Sequence, residues 1–296
     1  QFTSPLTAIF TATSSVCVTG LVVVDTADYW SGFGQAVILV LIQLGGLGFM
    51  TSATLLLLAI RRRITLREKV LARQALGMET FGGLTGLLKR IALFSLFVEA
   101  AGALLLYLRF VHYTSPGKAV WQAVFHAVSA FNNAGFDIMG GYRSLIGYQT
   151  DIGIVLTIAF MVILGGLSFI VIEDVVRRHR FNRFQTDTKI VLAMTALFLV
   201  LGTAFYFLVE YSNPATMGNL AWPDKLVMSF FQAVTPRTAG FTTVDINHMA
   251  DASFVFTMLL MFVGGASGST AGGVKVNTVG LLAFTALSAV PGKEKP

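Results

Sequence analysis

Apolar residues run in stretches of two lengths along this 296-residue chain. The long ones cover residues 34–60, 91–108, 152–172 and 190–209, each near the ~20 residues a helix needs to cross a ~30 Å hydrocarbon layer. These predict membrane-spanning helices. Shorter stretches at 5–16, 119–131 and 226–234 would reach only about half that depth at ~1.5 Å per residue. These predict half-helices that enter the membrane and turn back inside it.

Composition agrees: with 55% hydrophobic and 12% charged residues and a mean hydropathy of +0.74, the chain has too little polar surface for a soluble domain of this size and suits lipid as its solvent. The net charge of +6 and pI near 9.6 do not describe a nucleic-acid binder, because the basic residues stand in short blocks between apolar stretches. "RRRITLREK" at 61–69 holds five Lys/Arg and "RRHRFNR" at 177–183 holds four, which predicts that both segments are cytoplasmic. The half-helices then enter from the opposite face. Cys17 is the one cysteine, so neither an internal disulfide nor a cysteine metal cluster is expected.

A repeat organises these elements. Each half-helix runs into a polar, glycine-bearing segment: "SSVCVTGL", "SAFNNAGF" and "TPRTAGF". Their glycines, Gly20, Gly135 and Gly240, are 115 and 105 residues apart. A glycine pair follows inside the next long stretch, Gly45-Gly46, Gly165-Gly166 and Gly264-Gly265, at 25, 30 and 24 residues from the first glycine. Flanking positions repeat too: Phe10 and Phe125 lie ten residues before their glycines, and "GLVVVD" is echoed by "GFTTVD". One such segment reads as an ordinary turn, but three at constant spacing predict a unit of outer helix, half-helix, re-entrant loop and inner helix. Non-helical backbone at membrane depth is tolerated only where it is buried in protein or lines a water-filled path. Three equivalent loops therefore predict a shared pore, with backbone carbonyls replacing a cation's hydration shell. The fold expected is an all-α membrane protein of tandem membrane–pore–membrane repeats around a pseudo-symmetric pore, with a first repeat at 1–63, a second at 64–180 and a third at 181–296.

The strings "VCVTGLVVVDT", "FNNAGFD", "TPRTAGFTTVD" and "GGASGSTAGGVK" resemble the superfamily of K⁺ transporters that includes Trk, Ktr and the plant HKT proteins, and within it the Ktr-type membrane subunit. That family has four such units, so the resemblance implies that the first outer helix and the fourth unit are not in this sequence. It also implies that K⁺ ligands are main-chain carbonyls of Cys17, Val18, Thr19 and Gly20, of Asn132, Asn133, Ala134 and Gly135, and of Arg237, Thr238, Ala239 and Gly240. Gly20 stands where HKT relatives that carry Na⁺ have serine, which favours K⁺. Na⁺ is expected as a modulator, with an HKT-like Na⁺-permeable or Na⁺/K⁺-cotransporting protein, or an inactive fragment, as the alternative. The resemblance further implies a homodimer in the plasma membrane of a prokaryote, passing it several times, with a cytosolic ring of nucleotide-binding regulatory subunits as partner. The chain itself carries no phosphate-cradling motif and no cofactor is expected in it.

The third inner stretch differs from the other two. Around Lys275 the charge-free run from Ala252 to Gly292 would form a helix about twice as long as the hydrocarbon layer is thick. A break resolves the excess at Gly264, Gly265, Ala266, Ser267, Gly268, Ser269, Thr270, Ala271, Gly272, Gly273 and Lys275, and the resemblance identifies this segment as a gating loop. Close helix packing through small residues is the alternative. Lys275 would hinder a cation, snorkel, or pair with a group elsewhere. Asn132 and Asn133 are expected mainly to brace their loop. Arg237 is expected to point behind its loop and pair with a carboxylate: Asp137, Asp245 or the intramembrane Glu99. His126 reads as a packing residue. No paired nucleophile and base suggests an enzyme.

Overall fold

The computed structural model describes residues 3–48 and 84–289. The second half of the first long stretch and the basic segment 61–69 lie outside the described residues. The half-helices are α1 (Pro5–Val16), α5 (Pro116–Phe131) and α9 (Trp222–Val234). Each has proline in its first turn, where the missing N–H is no loss and the fixed φ already suits a helix. Between them come a short α2 (Thr26–Tyr29), α3 (Gly32–Gly46), α4 (Leu84–Phe110), α6 (Ile152–Gly166), α7 (Phe169–Arg178) and α8 (Thr186–Glu210). The described chain closes with α10 (Asp251–Phe262) and α11 (Val276–Ala289).

Helices α4 and α8 are long and apolar enough to cross a membrane, over Leu88–Phe110 and Thr186–Glu210. Each outer helix packs on the half-helix that follows it, α4 on α5 and α8 on α9. Each inner helix also reaches the next unit's half-helix, α3 touching α5 and α6 touching α9. This interlocking puts the half-helices in the protein interior. The main core gathers Phe131, Ile158, Phe231 and Phe241 from these elements, while Phe97, Leu208 and Phe262 project outward, exposed, as lipid contact requires. Arg109 at the end of α4 donates through Nε and Nη2, both at 3.0 Å, to Asp151, whose side chain also caps α6 by accepting from the Ile154 amide.

One expectation is corrected. Residues 152–172 do not form a straight span: the helix stops at Gly166, and α7 leaves at 97° to α6. Leu167 is extended and Ser168 caps α7 by accepting from the Ile170 amide. The carbonyls of Gly165 and Gly166, which would otherwise bond the next helical turn, accept instead from the Thr270 and Ala266 amides at 3.1 and 2.9 Å. Tertiary partners therefore end this helix, and a single stretch of sequence could not reveal them.

Glycine at 165 is required by contact. A Cβ there would stand 1.8 Å from the Phe131 carbonyl oxygen, at the end of α5. Gly165→Ala is expected to destabilise the protein by about 1–3 kcal/mol, in line with overpacking at a rigid neighbour. Gly117→Ala, with nothing within 4 Å of the added carbon, should leave the thermal midpoint of the purified protein where it was.

Candidate functional site

The three half-helices each end at a loop with the same backbone signature. In loop 1 (residues 17–20) Val18 and Gly20 have positive φ, 54° and 72°. In loop 2 (132–135) Asn133 and Gly135 do, at 54° and 73°, and in loop 3 (237–240) Thr238 and Gly240, at 74° and 87°. Two left-handed residues within four positions take each loop out of both helix and strand geometry. Glycine accepts this conformation freely; the valine, asparagine and threonine adopt it at a cost.

One residue clips each loop to its half-helix. The Ser14 carbonyl accepts from the Thr19 amide at 3.0 Å and the Ser129 carbonyl from the Ala134 amide at 2.8 Å. The Thr235 carbonyl accepts from Ala239 and Gly240, at 3.0 and 3.2 Å. The hydroxyls of the same three residues donate to the carbonyl just after the loop glycine: Ser14 to Leu21 at 2.7 Å, Ser129 to Phe136 at 2.6 Å, Thr235 to Phe241 at 2.5 Å. All three side chains are buried.

The loops pack edge to edge. A Cβ on Gly20 would stand 2.5 Å from the Ala134 carbonyl oxygen, and one on Gly135 would stand 2.2 Å from that of Ala239. Loop 2 thus lies between loops 1 and 3. A cavity of about 520 Å³ lies between loops 1 and 3 and is lined by Val18, Thr19, Thr238, Gly240 and residues 270–273. All three half-helix C-termini point at this assembly. The negative end of each helix dipole, roughly half an elementary charge per helix, therefore lies at the loops, so the region favours a cation.

Side chains of the loop residues brace the scaffold. Asn132 Nδ2 donates to Gln43 Oε1, Glu99 Oε1 and the Val128 carbonyl, at 3.2, 3.1 and 2.9 Å. Asn133 Nδ2 donates to the Arg237 carbonyl at 3.3 Å, joining loops 2 and 3. Glu99 meets these amides and not Arg237, so that proposed pairing is corrected. Arg237 does point behind its loop, with Nη2 at 3.4 Å from both Thr195 Oγ1 and the Gly264 carbonyl, but among the described residues it forms no ion pair. Asp137 accepts from the Met139 amide. Asp245 is taken up locally, since the Asn247 backbone N–H and His248 hold its carboxyl below the usual carboxylate range. Its exposed position lets water solvate it without a buried cation. His126 packs among Phe110, Phe125 and Phe241, with Nδ1 against the Gln122 carbonyl at 2.7 Å and Nε2 accepting from the Ile138 amide at 3.4 Å.

Residues 264–275 form a closed loop between α10 and α11. Its ends pair, Gly264 N donating to the Val274 carbonyl and Val274 N to the Phe262 carbonyl, at 3.0 and 3.1 Å. Thr270 Oγ1 donates to the Phe131 carbonyl at 3.2 Å and lies 3.3 Å from Asn133 Oδ1, and the Gly272 amide donates to Thr238 Oγ1 at 3.3 Å. The segment thus touches loops 2 and 3. Lys275 Nζ donates to the Ala271 carbonyl at 2.7 Å, which spends its charge inside the segment. The three glycine pairs are not equivalent as expected: Gly45 and Gly165 receive the Val16 and Phe131 carbonyls, whereas Gly264 meets the Gly272 carbonyl of its own loop. Sequence reasoning passed over Gln43, Thr195 and the clip residues, although Ser14, Ser129 and Thr235 each open one of the repeated strings.

Tandem loops with one repeated backbone signature, each at the end of a half-helix packed among apolar helices, define a pore-type membrane protein. The chain belongs to the TrkH family of cation transport proteins, whose model matches residues 1–296. It is 43% identical over 296 residues to Ktr system potassium uptake protein B of Bacillus subtilis, covering 99% of this chain and 66% of that protein. It is 38% identical over 288 residues to potassium/sodium uptake protein NtpJ of Enterococcus hirae, covering 97% and 63%. The fold matches the potassium transporter TrkH of Vibrio parahaemolyticus with a TM-score of 0.71 at 19% identity, over 99% of this chain and 58% of that one. The chain therefore spans a little under two thirds of the length of these relatives.

Thr270→Val should loosen the loop without altering its backbone, each lost hydrogen bond being worth about 1 kcal/mol. Faster hydrogen–deuterium exchange over residues 266–273 is expected. Unchanged exchange would mean that the backbone bonds to Gly165 and Gly166 suffice.

Proposed function

We propose that the full-length protein carries K⁺ across the plasma membrane of a prokaryote, down its electrochemical gradient, through a channel-like pore. The observation that carries this reading is the left-handed backbone pattern, repeated in three loops that touch in sequence. In the proposed mechanism a dehydrated cation is held by main-chain carbonyls of residues 17–20, 132–135 and 237–240. The half-helix C-termini supply a negative field there without placing a carboxylate that would bind the ion too tightly. The boundaries at 63 and 180 divide the chain into the three units that present these loops.

Residues 264–275 act as the gate in this reading. They touch loops 2 and 3 beside the cavity, and hydrogen bonds that can be exchanged for water hold them in place. The homodimer and the cytosolic ring of nucleotide-binding subunits belong to the same proposal, with Na⁺ as a modulator of flux. The sodium in the name of the Enterococcus hirae relative makes Na⁺ permeation the second reading.

Uptake of K⁺ or Rb⁺ by the full-length protein in cells lacking their own K⁺ uptake tests the proposal; absence of uptake with and without a regulatory partner would sink it, and Na⁺ uptake of equal rate would favour the second reading. Gly135→Ala should abolish uptake, because the new carbon meets the Ala239 carbonyl and the residue keeps φ at 73°. Gly240→Ala, whose nearest contact is the Gly135 Cα at 3.7 Å, should retain more. Deleting residues 266–272 should raise flux and weaken its dependence on the regulatory subunit; unchanged or lower flux in a folded mutant would argue for packing alone.

A further inference from the structure

We propose that Ser14, Ser129 and Thr235 are positioning residues for ion selectivity, each ending the ion-binding part of its loop at the glycine by holding the next carbonyl against the half-helix. The inference rests on the K⁺ reading above and deepens it. Each of these residues acts on its loop twice. Its own carbonyl takes the amide of the residue before the glycine, or in loop 3 that amide and the glycine's own. Its hydroxyl takes the carbonyl of Leu21, Phe136 or Phe241, the first residue beyond the glycine. A carbonyl bonded to a buried hydroxyl on the half-helix is engaged away from the path between the loops. Within the loops the Arg237 carbonyl is taken by the Asn133 side chain; the loop carbonyls not bonded in this way are the ones left for a cation.

The repetition argues against coincidence, because the loops differ otherwise. In loops 1 and 2 the clip residue lies six positions before the glycine, and in loop 3 five. Loop 3 absorbs the missing residue by closing a tighter turn, Ala239 bonding four residues back to Thr235, whereas Thr19 and Ala134 bond five back to Ser14 and Ser129. Despite that change of register, the hydroxyl still reaches the same carbonyl. The side-chain chemistry is thus kept where the backbone geometry is not, which is what a requirement on that carbonyl would produce.

The selectivity of carbonyl sites depends on how many dipoles surround the ion and how freely they move. Releasing the carbonyl after the glycine would add a mobile dipole at the outer end of the path. It could follow a smaller ion inward and so favour Na⁺ relative to K⁺.

The test uses the full-length protein and compares K⁺ with Na⁺ uptake in the same cells. Thr235→Val removes the hydroxyl at nearly constant volume, and Ser129→Ala and Ser14→Ala do so in the other loops. Each should lower the K⁺-over-Na⁺ preference by roughly three- to tenfold, the factor that corresponds to one hydrogen bond's net contribution, while Thr235→Ser and Ser129→Thr keep the wild-type preference. If the variants reach the membrane at wild-type level with their preference unchanged, or if Thr235→Ser fails as badly as Thr235→Val, the hydroxyls merely cap the helices and the inference is wrong. Should the variants of loops 2 and 3 fail to fold, Ser14→Ala decides. Wild-type protein that takes up neither ion would refute the proposed function instead. The clip is then read in purified protein, where K⁺ should raise the melting midpoint more than Na⁺ does in wild type and the variants should lose that difference; equal differences in both would overturn it.

Discussion

Everything in this structure depends on satisfying three stretches of non-helical backbone that lie among membrane helices, where lipid offers no hydrogen-bond partners. The protein meets this constraint by letting helices approach without side chains between them. Gly45 and Gly165 admit the last carbonyls of α1 and α5, Val16 and Phe131, to distances that a methyl group would forbid. The inner helices α3 and α6 therefore serve as the floor on which α1 and α5 end, and all three loops carry the same pair of left-handed residues. The apolar exterior and the interlocking of successive units follow from this arrangement, since each half-helix needs an outer helix on one side and inner helices on the others.

The third unit departs from the pattern in a way that gives it a different part to play. Its inner helix is divided into α10 and α11, and its glycine pair turns onto its own intervening loop. The Thr270 and Ala266 amides in turn take the carbonyls left over where α6 stops. The same loop is thus both the reason α6 ends and the neighbour of loops 2 and 3. Its contacts there are a few hydrogen bonds of about 1 kcal/mol each, weak enough to be exchanged and numerous enough to hold one closed form.

Three charged groups near the loops share one solution. Glu99 is bound by amides, Arg237 reaches a hydroxyl and a carbonyl, and Lys275 reaches a carbonyl; among the described residues none of the three forms an ion pair. A charge at the centre of a membrane helix costs about 2.5–3.5 kcal/mol on insertion scales, and dipoles supplied by already ordered backbone offset that cost. A buried ion pair would need two such charges. Among the described residues no carboxylate lines the cavity between loops 1 and 3; Glu99 lies behind loop 2, held by the Asn132 side chain.

Much of this was legible in the sequence. The existence of the half-helices was marked by hydropathy, although two of them begin three or four residues earlier than the apolar stretches, at Pro116 and Trp222; the loops were marked by three glycines at near-constant spacing, and the break after Phe262 by the excess length of a charge-free run. Those features are local or periodic, so one chain displays them. The sequence could not show that α6 bends after Gly166, that Glu99 binds Asn132 and Gln43, that Arg237 has hydroxyl and carbonyl partners, or that the third glycine pair packs on its own loop. Each of these joins residues that are not neighbours in the chain, and each was decided by which polar groups faced one another once the helices had packed. Hydrophobic periodicity fixes where helices lie; the directions of leftover polar groups, set only in the assembled bundle, decide what the loops between them touch.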